Sequence, residues 1–257
     1  MYNRETIDDI VISLDVDWAP DFVLDAVSQI LIKDRIKATW FVTHYSKGVQ
    51  RLFDHQDLFE IGVHPNFMAG SSQGSNFKEV LDYVMNIAPK AKSIRTHGMV
   101  YSAVLSKMFA VEYGLKNDSS VFLGEMPHII PQEVFYADKD ILRVPYFWAD
   151  DGEMSIKKIP SFKWNNKRFS FPGLKILDFH PIHIYLNSNS MLNYNNLKES
   201  YDLKNCIEAD ARKYINKENG AATLLKEIIK SNPNKDGFKT ISETCDLWRK
   251  NTKGLVS

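Results

Sequence analysis

Cysteine is scarce in this chain. The two present, Cys206 and Cys245, are far apart and lack metal-site spacing. That excludes a disulfide framework and implies a reducing compartment or indifference to one. Long apolar runs are missing too. The opening residues, MYNRETIDD, are polar, and the apolar stretch after them is too short for a secretory signal or a membrane span. The expectation is a cytoplasmic protein with no membrane span. An excess of charge of either sign is also absent. Lys+Arg and Asp+Glu both number 32, so no net field draws the molecule to nucleic acid or an acidic membrane. Repeats, low-complexity tracts and linkers are lacking. With 44% hydrophobic and 25% charged residues, the composition is that of a globular protein with a large core. A length of 257 residues suits one α/β barrel domain spanning 1–257.

What is present is alternation. DIVISLDV (9–16) precedes a helix over Asp21–Lys33, and KATWFVTH (37–44) precedes KGVQRLFDH. FEIGVH (59–64) leads through a Gly/Ser loop to FKEVLDYVMNIAP. KSIRTHG (92–98) leads to SAVLSKMFAVEYG, whose Gly114 suits a helix C-terminus. KNDSSVF reads as a weaker strand, ILRVPYFW (141–148) and LKILDFHPIHIYL (174–186) as stronger ones. The stretch 149–173 reads as loop and 187–203 as an exposed, Asn- and Ser-rich loop. Helices are expected over 204–217 and 219–231, then a short strand and a helix in FKTISETCDLWRKN. This order implies parallel strands joined by crossover helices. About seven such units close, or nearly close, a barrel.

In parallel α/β folds the functional site lies beyond the carboxyl ends of the strands. The ends of five expected strands carry Asp15 and Asp17, His44, His64, Arg95 and His97, and His180 with His183. Five of the seven histidines therefore sit at strand ends, and only His55 and His128 do not. In SLDVDW, strand alternation places Asp15 and Asp17 on one face. Two carboxylates that close repel unless a proton or a cation intervenes. The plainer reading is a solvated loop, or Asp17 capping a helix that starts near Ala19-Pro20.

His44 is expected as a hydrogen-bonding residue at a strand end, and His64 is held extended by Pro65. Arg95 and His97 are two apart and co-facial, beside a Gly98 that lets the chain turn. Of His180 and His183, one is expected to act and the other to orient it. A carboxylate with two or three neutral imidazoles suits a borderline cation such as zinc. With an open position, such a site activates water toward a carbonyl. A second carboxylate then serves as general base and a histidine as acid. That is hardware for hydrolysing an amide or ester.

SLDVDW, FEIGVHPNF, RTHG and LDFHPIH, in this order and spacing, resemble the polysaccharide deacetylase superfamily, also called NodB-homology or carbohydrate esterase family 4. Within it, the chain is most similar to an atypical WbmS-like branch associated with bacterial surface polysaccharides. The resemblance covers roughly residues 8–186 and implies a distorted (β/α)7 barrel that deacetylates sugars with a divalent metal. It also implies roles: Asp15 as general base, Asp17 and His64 as metal ligands, Arg95 orienting the base, His180 as the acid. The superfamily's second motif has another histidine four residues after the first, and here that position is Met68. His97 stands where the third motif has proline, and is taken to supply the missing ligand, with His44 as the alternative. RVPYFWADDG (143–152) matches an acidic and aromatic motif, so that Trp148 stacks on a sugar and Asp150 or Asp151 orients Arg95; the alternative is a core strand and a solvated turn. Trp18 and His183 are further expected substrate contacts.

The expectation is a zinc-dependent hydrolase that removes an acetyl group from an N-acetylated sugar in surface-polysaccharide biosynthesis. Its rivals are a non-catalytic carbohydrate-binding protein with a degenerate site, a metal-free glycosidase, and a deformylase or amidase of a non-sugar substrate. Asp15 and Asp17 on one strand argue against the glycosidase, which needs carboxylates from separate strands.

Overall fold

The computed structural model describes residues 8–203, 205–232 and 237–252. Its first half is regular strand–helix alternation: β1 (Ile10–Asp15), α1 (Asp21–Lys33), β2 (Ala38–Val42), α2 (Lys47–Leu52), β3 (Phe59–Val63), α3 (Phe77–Ile87), β4 (Ser93–Ile94), α4 (Ala103–Val111) and β5 (Asn117–Asp118). Then come β6 (Gln132–Tyr136), β7 (Lys139–Arg143), β8 (Trp148–Ala149), α5 (Asp150–Ile156), β9 (Lys175–Phe179) and α6 (Pro181–Tyr185). The chain ends in α7 (Leu192–Ser200), α8 (Glu208–Ala211), α9 (Ala221–Ser231) and α10 (Ile241–Thr252).

The strands form one sheet in the order β6-β7-β5-β4-β3-β2-β1-β9-β8, parallel throughout except for the antiparallel β6–β7 pair. A parallel bridge between Phe122 and Tyr146 ties the segment after β5 to the one before β8. That bridge draws the flanks of the sheet toward each other, so β1, β2, β3, β4, β5, β8 and β9 form a curled, barrel-like wall, and the β6–β7 hairpin hangs from β5. The fold is α/β, a distorted (β/α)7 barrel, as expected.

β1 is an interior strand, apolar on both faces. Val11, Ile12 and Leu14 are fully buried, and β2 and β9 flank the strand. Helix starts follow the sequence. Ser46, Asn76 and Ser102 accept from the backbone N–H of Val49, Glu79 and Leu105, capping α2, α3 and α4. Asp17 caps nothing: Pro20 stands at the α1 N-cap position, with no side-chain cap.

Several expectations change. The run 174–186 is strand only to Phe179; Pro181, at the first helical position, begins α6. An unbroken apolar run does not itself distinguish strand from buried helix. The expected loop 149–173 contains α5, and 187–203 contains α7. α7 buries only Leu197, so it carries almost no amphipathic signal. Of the helix expected over 204–217, whose first residue lies outside those described, only α8 and a 3-10 turn at Arg212–Tyr214 form. The β6–β7 hairpin was not expected. Its turn puts Ala137 at φ 54°, where glycine or asparagine would have announced it.

Gly62 on β3 fixes the spacing of the strands around the site. A Cβ there would stand 2.7 Å from the Phe41 ring and 2.8 Å from the Ser93 carbonyl oxygen. Gly62→Ala is predicted to lower the unfolding free energy by about 1–3 kcal/mol through overpacking. Urea denaturation checks this, and an unchanged midpoint would contradict it.

Candidate active site

β1 ends on Asp15, 5% exposed. The chain then turns sharply, with Asp17 at φ 44° and Trp18 at φ 57°. Two consecutive non-glycine residues in the left-handed region cost about 1–2 kcal/mol each. The Trp18 N–H donates to the Thr43 hydroxyl at 3.2 Å, which holds the turn against the end of β2. Asp17 is therefore not on the strand. The two aspartates meet because the backbone folds back, not because strand alternation puts them on one face.

His64 follows β3 and donates its backbone N–H to the Val42 carbonyl at 2.9 Å. His97 begins the turn after β4, its N–H bonded to the Pro65 carbonyl at 2.9 Å. Gly98, at φ 62°, reverses the chain there. The sulfur of Met68 lies 3.2 Å from where a Gly98 side chain would start. The methionine and the histidine that stands in for it are thus neighbours across the same corner.

Three donor atoms converge. Asp17 Oδ1 lies 3.2 Å from His64 Nε2 and 3.0 Å from His97 Nδ1, and the two nitrogens are 3.3 Å apart. Ligands at zinc distances in tetrahedral geometry stand about 3.3 Å from one another, so this triangle fits such an ion. Two further clusters are close enough in space, Asp15–Asp178–His180 and Asp150–Asp151–His180. The first already has Arg95 Nη1 donating to both carboxylates. In the second, His180 Nδ1 is bonded to Asp150. His44 belongs to none of the three clusters; its Nδ1 meets the Thr43 hydroxyl at 2.9 Å.

Burial opposes the charged form of Asp17, but hydrogen bonds from His64 and His97 outweigh it and hold this carboxyl well below its ordinary range. Burial likewise opposes charge on His97, and the bond to Asp17 raises its pKa nonetheless.

Arg95 is 1% exposed. Its guanidinium sits between the rings of Phe41 and Tyr146, 4.6 Å from each centroid. Nε and Nη2 bond Ser119, and Nη1 donates to Asp15 Oδ1 at 3.0 Å and to Asp178 Oδ1. Burial pushes the Asp178 carboxyl well above its ordinary range, against the lowering effect of the nearby Arg95 charge. The partner of Arg95 across from Asp15 is therefore Asp178, not Asp150 or Asp151 as expected.

Asp150 instead holds His180. Its two oxygens accept from the histidine's backbone N–H at 2.9 Å and meet Nδ1 at 2.7 Å. That leaves His180 Nε2 facing the site, 3.5 Å from Asp17 Oδ2. Burial disfavours the imidazolium, but the Asp150 charge and hydrogen bond raise its pKa well above the ordinary value.

Two expected substrate contacts are corrected. Trp148 is 2% exposed; its indole N–H donates to Glu153 at 2.9 Å and its ring packs on Phe162, Phe169 and Phe179. No face is left for a sugar. His183 is 3% exposed, bonded to the Ser188 hydroxyl at 3.2 Å and packed against Tyr194. Trp18 stays at the mouth, half-buried, edge-on to His97 at 5.4 Å. Asp178 was missed, although its signal was available: it is two residues before His180, hence on the same strand face, inside an otherwise apolar run.

A family model for WbmS-like polysaccharide deacetylases matches residues 12–198. A crystal structure from Bordetella bronchiseptica, described as a polysaccharide deacetylase involved in O-antigen biosynthesis, is 31% identical. The match covers 87% of this chain and 90% of that one, with a TM-score of 0.75. More distant matches include the peptidoglycan deacetylase PdaC from Bacillus subtilis (13% identity, 98% and 97% coverage, TM-score 0.48) and a CE4-family pseudoenzyme from Bacillus anthracis (13% identity, 94% and 66% coverage, TM-score 0.47). No curated protein matches. The chain belongs to the WbmS-like polysaccharide deacetylase family.

Burial holds the His183 pKa down to about 4, against about 6.5 in an unfolded chain. A depressed folded pKa means stability that is present above 6.5 and lost as pH falls toward 4. Between pH 7 and pH 5 this one group costs about 2 kcal/mol. Urea titrations at both pH values check the sign. His183→Gln should lose correspondingly less stability than wild type over this interval, and equal losses would contradict the assignment.

Proposed function

We propose that this member of the family hydrolyses the acetamide of an N-acetylated sugar, an intermediate of bacterial surface-polysaccharide assembly, in a metal-dependent reaction in the cytoplasm. The observation that carries the reading is the triangle of Asp17 Oδ1, His64 Nε2 and His97 Nδ1, with a carboxylate on one side and an imidazole on the other. Those three atoms would hold a divalent cation, zinc by donor type. When bound, the cation supplies Lewis-acid polarisation of the acetyl carbonyl and acidifies the attacking water.

The remaining roles belong to the chain itself. Asp15 is the general base. Arg95 occupies its Oδ1, which leaves Oδ2, 3.6 Å from His64 Nε2, to take the proton from the attacking water. The water oxygen bonds to the carbonyl carbon. His180, protonated and held by Asp150, delivers a proton from Nε2 to the amide nitrogen as the carbon–nitrogen bond breaks. Acetate and a free amino sugar leave. Trp18 forms one wall of the mouth and orients the sugar ring.

Acetate release from N-acetylated sugar acceptors tests this. Chelation is expected to abolish it and added zinc to restore it, and Asp15→Asn is expected to lower kcat by about 100-fold or more. Chelation-resistant turnover, or full activity in Asp15→Asn, would overturn the reading.

The pH profile carries a separate prediction. Because the His180 pKa is raised, its acid form survives as pH climbs past the ordinary histidine range, and activity falls only above that. Asp150→Asn removes the favourable charge, so the alkaline limb is expected to move to lower pH. A limb that stays in place would show that another group controls it.

A further inference from the structure

Arg35, Arg51, Arg95, Arg168, Arg212 and Arg249 each meet a carboxylate. Arg143 does not. Among the described residues no acid lies within ion-pair distance of it, and none of its guanidinium N–H groups donates a hydrogen bond. Its Nε is buried without a partner. Burial lowers its pKa, with no carboxylate to offset it. A half-buried guanidinium keeping its charge without an anion is unfavourable, and the fork of donors is built for planar or tetrahedral oxyanions.

Its place in the fold makes the unpaired guanidinium informative. Arg143 is the last residue of β7, on the same end of the sheet as Asp15, His64 and His97. Its register partner on β5 is Asp118, which is paired in turn with Ile94 on β4. Two strand spacings, about 10 Å, separate it along the rim from the segment that carries Arg95 and His97. No ion pair or hydrogen bond links the two side chains: Asp118 Oδ1 accepts from the Ser120 N–H at 3.0 Å, and its Oδ2 is buried without a partner. The guanidinium is instead stacked 4.4 Å from the ring centre of Tyr101. Tyr101 lies in the loop after β4, four residues past His97, so the stack fixes Arg143 beside the turn that supplies that histidine. The acids of this mouth, Asp15, Asp17, Asp150, Asp151 and Asp178, cluster around His180 and Arg95. A negatively charged substituent on a substrate would be repelled there and accepted at Arg143.

We propose that Arg143, held by Tyr101, is the subsite for an oxyanion carried by the sugar substrate, a phosphate or a carboxylate. The inference rests on the sugar-deacetylase reading for the nature of the ligand, but not for the existence of an anion site.

Isothermal titration calorimetry separates the two. The probes are N-acetylglucosamine, N-acetylglucosamine 1-phosphate, N-acetylglucosaminuronate and inorganic phosphate, each against wild type, Arg143→Gln and Arg143→Lys. At least one anionic sugar is expected to bind wild type about tenfold or more tighter than the neutral sugar, with the preference lost in Arg143→Gln. Arg143→Lys, a point charge without the fork, is expected to keep part of it; if the glutamine variant does not fold, the lysine variant decides. Whether the phosphate or the uronate shows the Arg143-dependent gain identifies the source of the oxyanion. An equal preference in wild type and the variants, or no preference in wild type, overturns the proposal. Arg143-dependent binding without acetate release would leave the subsite standing and remove the deacetylase reading.

Discussion

Negative charge crowded against the carboxyl end of β1 is the constraint around which this molecule is arranged. Asp15, Asp17, Asp150, Asp151 and Asp178 share one mouth, and burial makes each ionised carboxyl expensive there. The chain settles most of this with its own groups. Arg95, flanked by two aromatic rings, donates to both Asp15 and Asp178. His180 answers Asp150. Asp17 remains, facing two imidazoles that must be neutral to coordinate a metal. Burial opposes charge on His97, and its hydrogen bond to Asp17 raises its pKa nonetheless; a divalent ion would supply positive charge there in place of a proton.

The same constraint explains where backbone strain is spent. Asp17 and Trp18 are left-handed in succession, and the turn they make brings Asp17 within reach of both histidines while Asp15 stays on the strand beneath Arg95. Gly62 lets Phe41 lie flat against β3, and Phe41 in turn is one face of the Arg95 clamp. Packing under the barrel mouth and charge placement within it are thus the same set of contacts seen from two sides.

Much of the site was legible because polar residues ending apolar runs stand out: Asp15, Asp17, His64, Arg95, His97 and His180 all meet at one mouth. The aspartates converge for a reason strand alternation does not supply: a left-handed turn at Asp17 and Trp18 brings them together. Asp178 has a signal too, an acid inside the apolar run two residues before His180, but its flanking Leu177 and Phe179 read as buried strand and mask it. Asp150 was seen but given the wrong partner, because a strand-end position says nothing of which neighbour a side chain turns to. Trp148 and His183 failed for a shared reason. Trp148 is still on β8 and His183 already on α6, and in both the side chain is covered by neighbouring rings from elsewhere in the chain, which the sequence pattern does not reveal. The alternating first half was read closely, while the hairpin and α7 were lost for want of a turn glycine and an amphipathic face.

The account stands on Asp17, His64 and His97 gripping one ion, with His97 in place of the histidine that Met68 displaces. X-ray absorption at the zinc edge of the zinc-loaded protein reads that shell directly. The structure predicts two imidazole nitrogens and carboxylate oxygen at about 2.0–2.2 Å, with one imidazole lost in His97→Ala. A sulfur neighbour from Met68, or an imidazole count unchanged in His97→Ala, would contradict it.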